Sequence, residues 1–199
     1  MYMKRTLFNV LLVMLAVTTS GVAETQQPSI TPALPEEQPP FNPRYYLGVW
    51  EIEWTPPEIG LLPPGQYTGT ETVTYLNSRF LHVDIQLNGE DGNTITGTGT
   101  IFYESGLGGE ALVRYVVYDA GFSLLQFGPI GGDLGGYYSH HWEVPEFDYN
   151  DHTFALRGRS YFVSPEAYRV DQEVSVDGEE FFNFGIMWLR KNTEEPTGQ

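Results

Sequence analysis

The stretch Tyr46-Leu47-Gly48-Val49-Trp50-Glu51-Ile52-Glu53-Trp54 decides how the rest of the chain is read. Trp50, Ile52 and Trp54 fall on one face of an extended segment, and Val49, Glu51 and Glu53 fall on the other. Side chains alternate with period two along a strand, so this is a strand with one buried and one wet face. On the N-terminal side, Glu24 to Arg44 is punctuated by Pro28, Pro32, Pro35, Pro39, Pro40 and Pro43 and lacks any apolar period. Residues 24–44 therefore read as an extended or disordered spacer, with room for a brief helical turn near Pro43 to Leu47. Before it, Lys4 and Arg5 precede an apolar run from Leu7 to Val17 that is too short to span a bilayer. Gly21-Val22-Ala23 follows as a small-x-small site. Residues 1–23 are expected to be a signal peptide cut after Ala23, which would make the protein exported, periplasmic or secreted.

On the C-terminal side of Trp54, Thr55 to Gly65 contains Pro56-Pro57, Gly60 and Pro63-Pro64, so it cannot form a ladder. Ile59, Leu61 and Leu62 are apolar residues within this loop. They suggest a flap over an apolar opening or, equally, a plug in it. Strand-like segments then follow at hairpin spacing: Gln66 to Leu76, Arg79 to Leu87, Thr94 to Glu104, Ala111 to Asp119, Phe122 to Phe127, Tyr137 to Val144, His152 to Arg159, Tyr168 to Asp177 and Glu180 to Arg190. Pro129 to Gly136 reads as a Gly-rich loop. About nine or ten short strands without helices must close or leave long edges exposed. The predicted fold is all-β, an antiparallel up-and-down barrel over residues 45–191 with a polar tail at 192–199. An open β-sandwich is the alternative.

Composition narrows the function. The chain has no cysteine, which removes thiol catalysis, thiolate metal sites, disulfides and a cysteine-linked lipid anchor. An exported protein without disulfides suits a bacterial periplasm better than a eukaryotic secretory route. The formal charge is -16 and becomes -18 once Lys4 and Arg5 are removed, so a phosphate backbone is repelled and nucleic acid is not an expected partner. No later segment is apolar and long enough for a membrane helix.

Leu47-Gly48-Val49-Trp50-Glu51, Ser78-Arg79-Phe80-Leu81, Thr96-Gly97-Thr98-Gly99-Thr100-Ile101-Phe102-Tyr103-Glu104 and Trp188-Leu189-Arg190 together resemble the lipocalin-like (calycin) superfamily, and within it the bacterial DUF1579-type proteins of unknown function. Gly108 to Gly136 departs from that pattern in lacking acidic turn pairs. The resemblance implies a barrel in which Trp50 sits at the closed end beneath a basic residue of the last strand, Arg190, as a structural cation–π latch. It also implies that a lone histidine could bind haem, as in a related group of small haem-binding barrels; otherwise no cofactor is expected.

Alternation places Trp54, Tyr75, Tyr103, Tyr115, Tyr138, Trp142, Phe184 and Trp188 as candidate interior aromatics that either line a cavity or fill the barrel. Of the pair His140-His141, neighbours on a strand face opposite ways, which excludes a shared metal and makes His140 the inward candidate. It could act as a cavity acid or base, as a haem ligand, or simply as a buried hydrogen-bonded histidine. Arg114 shares its face with Leu112, Val116 and Tyr118; if that face is inward, the guanidinium requires an acid or an anionic ligand. No serine elbow, common-face carboxylate pair or His-Glu metal helix is present, and Gly128 to Gly136 lacks the lysine and following helix of a phosphate cradle. In the last strand Phe182, Phe184, Ile186 and Trp188 form one face by alternation, and Phe181, Met187 and Leu189 lie on the other. Three functions remain open: binding of a small hydrophobic or aromatic molecule, catalysis by a cavity His or Tyr, and a filled barrel that homodimerises through the apolar faces of Glu180 to Leu189.

Overall fold

The computed structural model describes residues 41–106, 109–132 and 138–193. The expected signal peptide, most of the spacer and most of the polar tail lie outside these residues. A short 3₁₀ turn, Pro43–Tyr46, leads into ten strands: β1 (Gly48–Trp54), β2 (Tyr67–Tyr75), β3 (Phe80–Gly89), β4 (Thr94–Gly106), β5 (Gly109–Tyr118), β6 (Ser123–Gly132), β7 (Tyr138–Tyr149), β8 (His152–Ser164), β9 (Ala167–Val176) and β10 (Phe182–Lys191). Every strand pairs with its sequence neighbours and β1 pairs with β10, closing an antiparallel barrel. Closure leaves no unpaired edge, which settles the choice between barrel and sandwich. Among the described residues no helix is long and apolar enough to cross a membrane.

Inside-outside alternation follows the period-two reading. In β1, Trp50, Ile52 and Trp54 are buried and Glu51 and Glu53 are exposed. In β3, Leu81, Val83, Ile85 and Leu87 are buried, with His82 and Asp84 outside and hydrogen-bonded to each other at 3.0 Å. His141 also faces out, while His140, Trp142 and Val144 face in.

Three elements differ from the sequence expectation. The folded part reaches back to Phe41, inside the expected spacer: Phe41 is buried and packs its ring against Tyr46, Tyr138 and Phe162. The Gly-rich stretch from Pro129 to Gly132 is not a loop but continues β6, because Ile130 is buried in the core and the ladder to β7 resumes at Ile130 opposite His140; residues 133–136 of that expected loop are outside the described ones. Finally, β10 carries a bulge between Asn183 and Ile186. Gly185 there has φ +92, a conformation that side-chain-bearing residues rarely adopt. The bulge shifts the alternation by one, so Phe184 and Leu189 are buried and Met187 packs against the core, while Phe182 and Ile186 are exposed. Phe182, Phe184, Ile186 and Trp188 therefore do not share one face.

The two ends of the barrel are closed differently. At the start of β1, the Pro43–Tyr46 turn inserts an aromatic cap. Trp50 Nε1 donates to the Tyr46 carbonyl at 2.7 Å, and the Tyr45 hydroxyl donates to the carbonyls of Ser164 (2.6 Å) and Ala167 (2.9 Å). At the other end, the proline-rich connection from β1 to β2 folds Leu61 and Leu62 into the core as a flap.

Candidate functional site

Between cap and flap lies an interior cavity of about 80 Å³. Its walls are largely apolar, with Ile52, Trp54, Leu61, Leu62, Ile85 and Phe184 among the lining residues. At roughly 10–15 Å³ per water, that is room for about five to eight waters or one small organic molecule. The barrel is neither solid nor a wide open cup.

Polar side chains enter this cavity from two walls. On the first, β5 turns Leu112, Arg114 and Val116 inward, as their shared phase requires. Arg114 meets Glu71 of β2 in a two-pronged ion pair, Nη1 to Oε1 at 2.9 Å and Nη2 to Oε2 at 2.5 Å. Glu71 is only 2% exposed. The Tyr168 hydroxyl donates to the same carboxylate at 3.4 Å. Burial alone would lower the Arg114 pKa, but the Glu71 charge and hydrogen bonds outweigh it and raise the pKa further, so the guanidinium stays charged. The acid that Arg114 requires is thus supplied by the protein. The neighbouring phenols stay protonated: burial raises Tyr46 and Tyr168, and pushes Tyr118 up to about 12.

On the second wall, β7, β8 and β9 present His140, Ser160 and Gln172, all buried and all lining the cavity. Burial pushes the His140 imidazole down to about 4; the Leu112 backbone opposes this in part, and the positive charge of Arg114 adds to it. His140 is therefore a neutral imidazole at ordinary pH. Among the described residues, its Nε2 has no hydrogen-bond partner, and neither has Gln172 Nε2.

The sequence-predicted residues divide as follows. Trp54, Arg114, His140 and Phe184 line the cavity. Trp142 is buried in the barrel without reaching that cavity, and Tyr103 and Tyr138 are half-buried near the cap, where both contact Phe41. Burial and the nearby Glu110 push the Tyr103 phenol up to about 12. Tyr75 and Tyr115 are exposed and not interior. Tyr115 follows Arg114 directly, so burying Arg114 sends Tyr115 outward; Tyr75 is the last residue of β2, at the rim. Trp188 is displaced to the outer face by the Gly185 bulge.

The Trp50–Arg190 latch is also corrected. Arg190 bonds Glu53 at 2.7 Å on the outside and lies 5.5 Å from the Trp188 ring. The cation over Trp50 is Lys191, with Nζ at 5.0 Å from the ring centroid. Lys191 is the register partner of Trp50, and Gly48, with φ +120, leaves room for its stem: a β-carbon there would sit 2.9 Å from Lys191 Cε.

Glu71, Gln172, Ser160 and Tyr168 escaped the sequence reading. One signal was available for Glu71: it shares a phase with Tyr67 and Val73 in a Thr-rich strand, and Arg114 needed an acid. Among the described residues no three His, Asp or Glu side chains gather as a metal site.

No protein-family profile matches the chain, and no curated protein sequence does. Solved structures do match in fold. The chain is similar to Rv2717c from M. tuberculosis, with a TM-score of 0.56 at 11% identity over 74% of this chain and 93% of that one. Weaker likenesses are to a de novo designed fluorescence-activating β-barrel (TM-score 0.42, 15% identity, 75% of this chain and 95% of that one) and to a barrel, EF1p2_mFAP2b, bound to DFHBI (TM-score 0.41, 12% identity, 75% and 95%). At such identities the shared feature is the fold: a closed antiparallel β-barrel.

Proposed function

We propose that the protein is a binding barrel for a small, mostly apolar or aromatic molecule held between the cap and the flap. The observation that carries this is the interior cavity itself. It is mostly apolar, yet it carries buried polar groups that the protein leaves without partners, a combination that marks small-molecule sites. Lipocalin-like membership agrees with this function and is part of the proposal, although ten strands exceed the eight of a lipocalin barrel. Export to a periplasm or beyond belongs to it as well, on the strength of Lys4, Arg5 and the apolar run after them.

Binding is favoured over catalysis by how the charged groups are used. A cavity base works with an acid, a nucleophile or an electrophile held within reach. Glu71, the acid among the described residues that line this cavity, is taken up by Arg114 and Tyr168.

The test is a thermal and fluorescence titration of the mature chain with small neutral aromatics, since larger reporter dyes exceed the cavity. Trp54 lines the cavity and reports occupancy. At one hundred times Kd a ligand raises stability by about 2.7 kcal/mol, a shift on the order of 5–10 °C for a domain of this size. A panel that moves neither the melting temperature nor the emission at millimolar concentration overturns the proposal.

A further inference from the structure

The unpartnered nitrogens are not scattered. His140 is on β7 and sits directly opposite Ser160 of β8; Gln172 is on β9, opposite Gly158 of β8. Gln172 is therefore in line with Trp142, one inward position along the wall from His140, and His140, Ser160 and Gln172 all line the same cavity. His140 is 3% exposed and Gln172 8%, and neither His140 Nε2 nor Gln172 Nε2 has a hydrogen-bond partner among the described residues. A buried polar group without a partner is costly, and folded proteins rarely keep one without a reason. Across the cavity the situation is reversed: Arg114 and Glu71 neutralise each other.

We infer that the β7–β9 wall recognises a hydroxyl group on a neutral, ring-sized apolar molecule, with the oxygen seated between His140 and Gln172. This rests on the binding function proposed above and adds the chemical class of the ligand. A hydroxyl both donates and accepts, so it serves a neutral imidazole in either tautomer while accepting from the amide. A hydrocarbon of the same shape leaves both nitrogens bare. A carboxylate brings a charge into a buried, largely apolar cavity whose guanidinium is already neutralised by Glu71.

Phenol, toluene and benzoate share size and shape and differ in these properties. Calorimetric titration of the full chain is expected to give phenol at least about tenfold tighter binding than toluene, and no measurable binding of benzoate. In H140L, and separately in Q172M, the phenol preference falls toward unity. A parent-like far-UV circular dichroism spectrum and a cooperative urea melt show that the barrel is still folded, and Q172M, which conserves side-chain length, carries the test should H140L not fold. Equal binding of phenol and toluene by the parent chain, or an unchanged preference in both variants, overturns the hydroxyl assignment while leaving a binding barrel. Binding of neither molecule overturns both the assignment and the binding function.

Discussion

The cap and the flap close the same cylinder by opposite means. The cap is aromatic and bonded: Tyr45, Tyr46, Trp50, Phe162 and Tyr168 touch ring to ring, and two of them hold backbone carbonyls through side-chain hydrogen bonds. The flap is aliphatic and rich in proline, and Pro56, Pro57, Pro63 and Pro64 have no N–H to donate. The cap is tied down by rings and side-chain bonds together; the flap is held by the packing of Leu61 and Leu62 and by the Tyr67 hydroxyl, which donates to the Pro63 carbonyl at 2.8 Å. On the binding function proposed above, this inequality names the end that opens, because a molecule that enters has to displace one of the ends. The Arg114–Glu71 pair belongs to the capped end, since Tyr168, which bonds Glu71, packs on Trp50 at 5.0 Å.

The largest effect is expected from breaking the cap. Trp50 is wholly buried, and Trp50→Ala removes its ring contacts, the bond to Tyr46 and the cation–π contact with Lys191. A loss of about 3–5 kcal/mol is expected in urea unfolding, together with exposure of Tyr45 and Tyr46 to solvent. A loss below about 1 kcal/mol would show that the ends are equally soft. Lys191→Met tests the corrected latch, with a loss of roughly 0.5–1 kcal/mol; Arg190→Met leaves Trp50 unaffected.

Beneath the cap, Glu71→Gln leaves Arg114 charged and under-compensated, and Arg114→Met leaves Glu71 alone. Each is expected to cost about 3–5 kcal/mol, while the double replacement R114M/E71L recovers most of the loss. Additive losses in the double variant would mean that the pair does not act as a unit.

His140 lies between the ends, and its titration has a definite sign. Its pKa is about 4 in the folded chain and about 6.5 when unfolded. Between those values the unfolded chain binds the extra proton. The stabilisation is complete above about pH 6.5, declines as the pH falls to about 4, and totals about 3 kcal/mol. Arg114 and His141 both contribute by repelling a second positive charge. Urea melts at pH 7 and 4.5 measure the drop; H140L should lack that slope, and an identical slope in both chains would place the pH dependence elsewhere.

How much of this was written in the sequence depends on the distance over which the signal acts. The phase of β1 was legible because three large apolar residues alternate with two glutamates. The inward choice of His140 over His141 followed from the same period. The β10 face was misread because a single glycine at positive φ shifts the register, and one residue of shift turns a whole strand over. The latch failed for the same reason by one position, Lys191 in place of Arg190. Glu71 was illegible in isolation: a lone acid among threonines looks like surface, and only the partner forty-three residues away makes it interior. The polar wall of Ser160 and Gln172 depends on cross-strand register, which composition does not carry.

A smaller stability effect than the loss of Trp50, and the sharpest test of the inequality, belongs to the flap. Leu62→Ala is expected to cost about 2 kcal/mol, the low end for a buried leucine, because a loop can settle into the space where a strand cannot. Its kinetic effect should be larger. If the flap is the door, L62A accelerates dissociation of bound phenol well beyond any change in its affinity, because association and dissociation speed up together when a gate is loosened. Phe41→Ala at the cap serves as the control. Phe41 packs against several aromatic rings, so its removal should destabilise the fold more than L62A does and yet leave ligand exchange nearly unchanged. Relaxation-dispersion NMR of phenol exchange distinguishes the two. Faster exchange in F41A than in L62A would move the door to the aromatic end and reverse the comparison, since the tighter packing there would then be hiding the mobile closure.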